Sequence, residues 1–561
     1  MNTFPKSFFG KPVELGFKLG RVETCSERTV SVNNGFPKES SESYPILHTM
    51  VAKHIVAHNV AAWGPYKPLS AFAVRVLENR GDVHFSVLIQ GGMMYKKFMR
   101  ELDKIPSDHL SEIRPRLHVI DLTGKDINPF DTLPEFATAF EALYSLKPVT
   151  CSSTGTVVQG LAPPTVAIID PFAGYAIDAI RSIAGSSCSV FSWMTAPAGP
   201  VLRLCGPEEY GGGGDMSVKV EAEVARTGRD TTEVAKELFD NLITGQVIHI
   251  PGVPPVYDYE WYPQEVENQW DHVLFLAGQK YMRITDGTLC VSSSIYEPEA
   301  LEAAKNWMES MGKQWYTVGP LSLPDSLPPT KAFDEKELLV ISFLNRMQSE
   351  FGDQSVLFIS FGTIYWPAQP EKLWAILDEL LSLRKPFILA HSSPLAHVPE
   401  EKRRLISESG IGLEMSWSPQ EKILSHPATG WFVTHGGWNS TQEALAHRVP
   451  VIYWPYSADQ PYNAARTCQH NAGFELVEVR TGERGTQRPY RAKDRLESQS
   501  PSFSVSAARD EFRQLLGRIE GDEGRVIRAN FERLGQLMDK TWNEGNEAKK
   551  NLNAFLQRFI D

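Results

Sequence analysis

Short apolar runs alternate with helix-like segments in two separate series along this chain, and that alternation limits the possible folds more than any other feature. In the first series, VHFSVLIQ (83–90), LHVIDL (117–122), TVAIID (165–170) and CSVFSW (188–193) have the length and composition of buried strands. LSAFAVRVLENRG and FAGYAIDAIRSIAG read as helices crossing between them. Near-continuous hydrophobic strands joined by helices imply a parallel sheet covered on both faces. A second series begins at SVLFISFG (355–362) and continues through PFILA (386–390), GWFVTH (430–435) and VPVIYW (449–454). Between the two lies VGPLSLPDSLPP (318–329), a proline-rich joint of the kind that acts as a semi-rigid spacer. The expected class is α/β, with two facing Rossmann-like halves, a hinge and a cleft. Ligands belong in that cleft, at the carboxyl ends of the strands.

The expected first domain covers 50–320, the linker 321–334 and the second domain 335–525; 526–561 forms a terminal amphipathic segment. Residues 199–265, with GGGG and IPGVPPVYDY, break the first rhythm and read as an insertion capping the sheet. Residues 1–49 show little periodicity and read as a disordered extension or the product of a misplaced start. The net charge of −12 argues against nucleic acid as the main partner. Six cysteines with no CxxC pair fit a cytoplasmic chain with reduced thiols. No apolar run approaches the roughly 18 residues of a membrane-spanning helix. Residues 480–495 carry six basic residues against two acidic ones. They read as a solvated insertion loop, with contact to an anionic membrane surface as the alternative.

Residues 417–460, WSPQEKILSHPATGWFVTHGGWNSTQEALAHRVPVIYWPYSADQ, carry the chemistry. GWFVTH reads as a buried strand, Gly436-Gly437 as a turn and WNSTQEALAH as a helix start. A glycine turn feeding a helix N-terminus offers free backbone N–H groups and the positive end of the helix dipole, which suits a phosphate or diphosphate. His435 and Ser440 can add donors there. Glu443, one turn into the helix, is placed to accept from a ribose diol, and Trp417 offers a flat face for a base. Asp459 and Gln460 suit sugar hydroxyls. No D-x-D occurs anywhere, so the usual carboxylate grip on a metal-bridged diphosphate is missing and no metal is expected.

This segment resembles the signature of the family 1 UDP-glycosyltransferases in its plant and fungal form, from the tryptophan to the closing glutamine without a gap. SFGT (360–363) and VGPL (318–321) match two further family landmarks, and FGTIYWP and IPGVPPVYDYE resemble the fungal branch. The resemblance, over roughly 52–480, implies the GT-B arrangement, a UDP-sugar donor, a small acceptor, no cofactor and a terminal helix that returns to the first domain. A monomer is expected. The family's roles place Trp417 on uracil, with Ser418 and Gln420 at the base and ribose and Glu443 on the ribose hydroxyls. They place His435, Asn439, Ser440 and Thr363 on the diphosphate with Trp438 nearby, and Asp459 and Gln460 on the transferred sugar. A closing glutamine tilts the donor towards UDP-glucose. The acceptor loops, mainly 91–160 and 195–265, are apolar and aromatic around 247–263, which points to a lipophilic small molecule.

One position departs from the family. Its enzymes take the acceptor's proton with a histidine after the first strand, oriented by an aspartate after a later one. Asp170, closing TVAIID, matches the aspartate. Pro65, in AWGPYKPL (61–68), stands where the histidine belongs, at what reads as the tip of a glycine turn with a helix starting at Pro68. Proline has no proton to exchange. Three readings follow: a transferase using Asp170 on acidic acceptors, a substitute base among His58, Tyr66 and Lys67, or a UDP-sugar-binding protein without turnover.

Overall fold

Each of the two apolar series becomes one parallel sheet. The structure is a computed structural model and describes residues 53–126, 133–265, 271–322, 335–494 and 500–561; the extension 1–49 and most of the linker lie outside the described residues. The strands of the first sheet lie in the order Gln314–Thr317, Gly287–Cys290, Ser189–Met194, Val166–Ile169, Lys53–His58, Val83–Ile89, Leu117–Asp121. Those of the second lie in the order Gly412–Met415, Phe387–Ala390, Val356–Ser360, Thr429–Thr434, Val451–Tyr453, Gly473–Glu475. Every residue of Val356–Ser360 and Thr429–Thr434 is buried, as a sheet with helices on both faces requires. These are two Rossmann-like domains.

In each sheet the chain runs outward from a central strand and then returns to that strand's other side. The reversal falls between Lys53–His58 and Val166–Ile169 in the first sheet, and between Val356–Ser360 and Thr429–Thr434 in the second. Such reversals leave crevices at the carboxyl ends of the strands. Asn59–Ala62 and Asp170 flank the first crevice; Phe361–Thr363 and His435–Gly437 flank the second. The halves are joined along one side by a continuous apolar cluster that includes Met194, Trp261 and Tyr296 from one and Val340, Phe432 and Trp438 from the other.

Three local expectations change. The helix after the first strand begins at Trp63, not Pro68, so Pro65 lies in its first turn and Pro68 inside it. A first-turn proline is tolerated because its missing N–H would have had no helical partner. Pro68 has a larger effect: without its N–H, the Gly64 carbonyl is left unpaired within the helix. Residues 480–495, expected to be solvated, are tied to the first domain at Arg480, Arg488 and Tyr490, while the side chains of Thr486–Arg488, Arg491, Lys493 and Asp494 stay exposed. Arg480 is buried between Glu260 (3.3 Å) and Glu475 (2.9 Å), while the Tyr259 hydroxyl donates to the Arg488 carbonyl at 2.7 Å and the Tyr490 N–H to Glu260 at 2.7 Å. The chain end is two helices. Asp522–Asp539 stays against the second domain, and only Glu547–Phe559 reaches the first sheet, where Phe555 and Phe559 meet the Phe191 ring at 5.0 and 4.6 Å.

The Arg480 cluster supports a stability prediction. Arg480→Met leaves two carboxylates buried with one fewer cation and should cost about 3 kcal/mol. A lowered urea midpoint checks it; an unchanged midpoint would show the cluster to be energetically neutral.

Candidate functional site

The turn after Thr429–Thr434 is built by glycines that admit no other side chain without strain. Gly436 has φ 89°, and a Cβ there would meet the Tyr453 ring at 2.6 Å; Gly362, opposite, has φ 74° and would meet His435 at 2.8 Å. His435 is packed between these turns, and burial lowers its pKa to about 4 against a hydrogen bond to the Ser360 backbone, so it is neutral, with one ring nitrogen a donor and the other an acceptor. Thr363 is exposed beside it. The helix Trp438–His447 begins at the turn, and its Trp438 N–H is capped by Asp459 at 2.7 Å. Asn463 Nδ2 donates to the same carboxylate at 2.9 Å, and burial raises the Asp459 pKa to about 6. Gln460 Oε1 accepts from the Tyr456 N–H at 2.9 Å. The Trp438 ring points away from the turn, with its Nε1 donating to the Val291 carbonyl at 2.5 Å.

Towards the N-terminal side of the Trp438–His447 helix, Trp417 is half-buried, Ser418 is buried, and Gln420 Nε2 donates to Ser440 Oγ (3.2 Å) and to Glu443 Oε2 (2.7 Å). The structure thus gathers Trp417, Ser418, Gln420, Ser440 and Glu443 into one patch beside the glycine turn. Asn439 faces the other domain, and its Nδ2 donates to the Gly64 carbonyl at 2.7 Å. That carbonyl is the one freed by Pro68.

In the first domain, Asp170 is buried at the end of its strand. Its Oδ1 accepts the Phe172 N–H at 2.9 Å. Burial pushes its pKa up to about 7, against the pull of the Phe172 and Val60 N–H groups. Pro65 is half-buried, and its carbonyl accepts from Trp193 Nε1 at 3.0 Å. None of the neighbours is a base near neutrality. His58 lies inside the sheet. Its Nδ1 is 2.7 Å from the Leu88 carbonyl, which can only accept, so Nδ1 carries the proton and Nε2 accepts from the Tyr175 hydroxyl at 2.8 Å. Burial lowers its pKa to about 4. The buried Tyr66 hydroxyl donates to the Asn59 carbonyl at 3.0 Å, and burial raises its pKa. The Lys67 ammonium lies between two carboxylates, which hold it protonated despite burial.

The model of the UDP-glucoronosyl and UDP-glucosyl transferase family matches residues 335–485, the span that holds the turn, its helix and the Trp417 patch. That span is similar to this family. Across most of its length it is similar to the UDP-glycosyltransferase eriJ of Hericium erinaceus, 27% identical over 519 residues that cover 90% of this chain and 98% of the relative. A flavonol 3-O-glucosyltransferase of Actinidia chinensis is 39% identical over 150 residues, 26% of this chain and 30% of the relative. Among solved structures, a transferase of Siraitia grosvenorii in complex with UDP superposes with a TM-score of 0.61 at 19% identity, covering 91% of this chain and 100% of that one. Medicago truncatula UGT71G1 complexed with UDP-glucose gives 0.61 at 19% identity, covering 91% and 99%. The fold is the GT-B fold of these UDP-glycosyltransferases. Among the described residues, no helix is long and apolar enough to cross a membrane.

Four residues from the first domain also cluster at the Trp417–Glu443 patch. Lys67 Nζ lies 2.6 Å from Glu443 and 2.5 Å from Glu421. Lys104 pairs with Glu421 and with Glu101, the latter at 2.8 Å. The Arg100 guanidinium lies 6.0 Å from the Trp417 ring centre. In the sequence Lys67 stands out only as a candidate base. Its carboxylate partners are more than 350 residues away along the chain, and no local pattern marks the pairing.

Proposed function

We propose that the protein is an inverting, metal-independent UDP-glycosyltransferase that moves a hexose, with glucose the best fit, from a UDP-sugar to a small lipophilic acceptor. The observation that carries this reading is the Asn439–Gly64 hydrogen bond. It joins the first turn of the helix suited to the diphosphate to the first turn of the helix bearing the base position, so the two chemistries meet in one cleft. Glucosyltransferase names among the plant relatives support glucose, and the flavonol glucosyltransferase supports a phenolic acceptor.

In this scheme the acceptor oxygen forms a bond to C1 of the sugar as the bond from C1 to the UDP oxygen breaks, and the configuration inverts. UDP leaves with the bonding electrons. The acceptor's proton passes to the Asp170 carboxylate, directly or through one water. A carboxylate with a pKa of about 7 is well matched to this task near neutral pH. It is a weak base for an alcohol, so phenols, carboxylic acids and thiols are the expected acceptors.

One observation favours a second reading, a UDP-sugar-binding protein without turnover: Pro65 at the base position. Release of UDP from UDP-glucose, followed against a panel of phenol, thiol and alcohol acceptors, separates the two. The transferase releases UDP only with a suitable acceptor. The binding protein takes up UDP and releases none. Release that ignores the acceptor would identify a hydrolase and overturn both.

A further inference from the structure

We propose that Lys67 is an internal occupant of the ribose subsite: it ties Glu443 to the first domain, and a nucleotide binds only by displacing it. The inference rests on the UDP-sugar reading above. A carboxylate recognises a ribose diol by accepting from both hydroxyls, yet both Glu443 oxygens are already engaged. Oε1 takes the Lys67 ammonium at 2.6 Å and Oε2 the Gln420 amide at 2.7 Å. Gln420 belongs to the same patch and can move with the ligand. Lys67 cannot, because it sits on a helix of the opposite domain.

Displacing Lys67 therefore means separating the domains at this edge of the cleft. The Asn439–Gly64 hydrogen bond and the Arg100–Trp417 contact span the same edge, so the subsites for diphosphate, ribose and base are covered together. The displaced ammonium is not stranded. Glu101, in its own domain and paired with Lys104 at 2.8 Å, also faces it, so Lys67 can give up Glu443 and Glu421 and keep a carboxylate nearby. That alternative partner makes the contact a two-position latch rather than a fixed bridge. A ligand that binds only the unlatched state has its apparent affinity reduced by the fraction of molecules unlatched. The nucleotide must then do the opening, and donor binding and cleft opening become one event.

The test is calorimetry of uridine and of UDP with the native protein and Lys67→Met, which keeps the apolar stem and removes the charge. Both ligands should bind the variant more tightly by about tenfold or more, the factor expected if a tenth or less of the native molecules are unlatched. Binding to the variant alone would be the extreme of the same result. Equal or weaker binding to the variant would overturn the latch and leave the UDP-sugar reading intact. Binding to neither protein would remove that reading and the latch with it. A second measurement uses only the native protein: acetylation of Lys67, read by mass spectrometry, should rise when uridine is bound. Uridine binding with unchanged Lys67 reactivity would overturn the proposal even if the variant failed to fold.

Discussion

Asp170→Asn should lower acceptor-dependent UDP release by about 10²–10⁴-fold, the usual contribution of a general base. Native activity should rise with pH through about 7, because the carboxylate must be free to take the proton and burial has moved its pKa to that value. The residual activity of the variant should lose this rise. Asparagine keeps an oxygen to accept the Phe172 N–H, so the end of the strand has no reason to rearrange. A stability measurement separates a lost base from a damaged fold. A carboxyl raised from its usual 3.8 to about 7 holds its proton in the folded state over that interval and releases it in the unfolded state. Its contribution to stability therefore falls as pH rises from about 4 to 7 and is lowest above 7. Removing the charge should make Asp170→Asn melt higher than the native protein at pH 8. An inactive protein that is also less stable there would contradict the assignment.

Pro65→His should produce the opposite change. If Asp170 works alone, the variant should extend turnover from phenols and thiols to alcohols, with gains of about 10²–10⁴-fold on acceptors too weakly acidic to lose a proton unaided. The substitution is structurally undemanding. Position 65 lies in the first turn of its helix, where a backbone N–H has no helical partner to lose or gain. Activity in the variant and silence in the native protein would favour the binding reading, with Pro65 as the lesion. Silence in both, across the full panel, would count against the transferase reading itself.

The two sheets and both crevices were legible in the sequence because each depends on local pattern. VLFIS and TGWFVT are apolar but for Ser360, Thr429 and Thr434 at their ends, as suits strands covered on both faces, and the glycines of SFG and HGG mark where the chain has to turn sharply. Ser440 and Glu443 could be grouped because one helix carries them three residues apart, whereas Trp417, in a loop, and Gln420, at the start of another helix, joined them through the family resemblance. The identity of Pro65 needed nothing but its place in the order of residues.

What the sequence could not show is what each of these residues touches. The start of the helix at Trp63 was missed because Pro68 looks like a boundary, and only tertiary structure supplies Asn439 for the carbonyl that Pro68 frees. The basic stretch at 480–494 looked solvated because its carboxylate partner Glu260 lies over two hundred residues away. Lys67 looked like one more cation near a turn until the domains were brought together and placed it on Glu443. Periodicity reports which face of an element is buried, since burial of apolar surface repeats with the element's own geometry. Ion pairs and hydrogen bonds between domains follow no such repeat, because their energy depends on a few atoms meeting within about 3 Å, and only the folded chain determines which atoms meet.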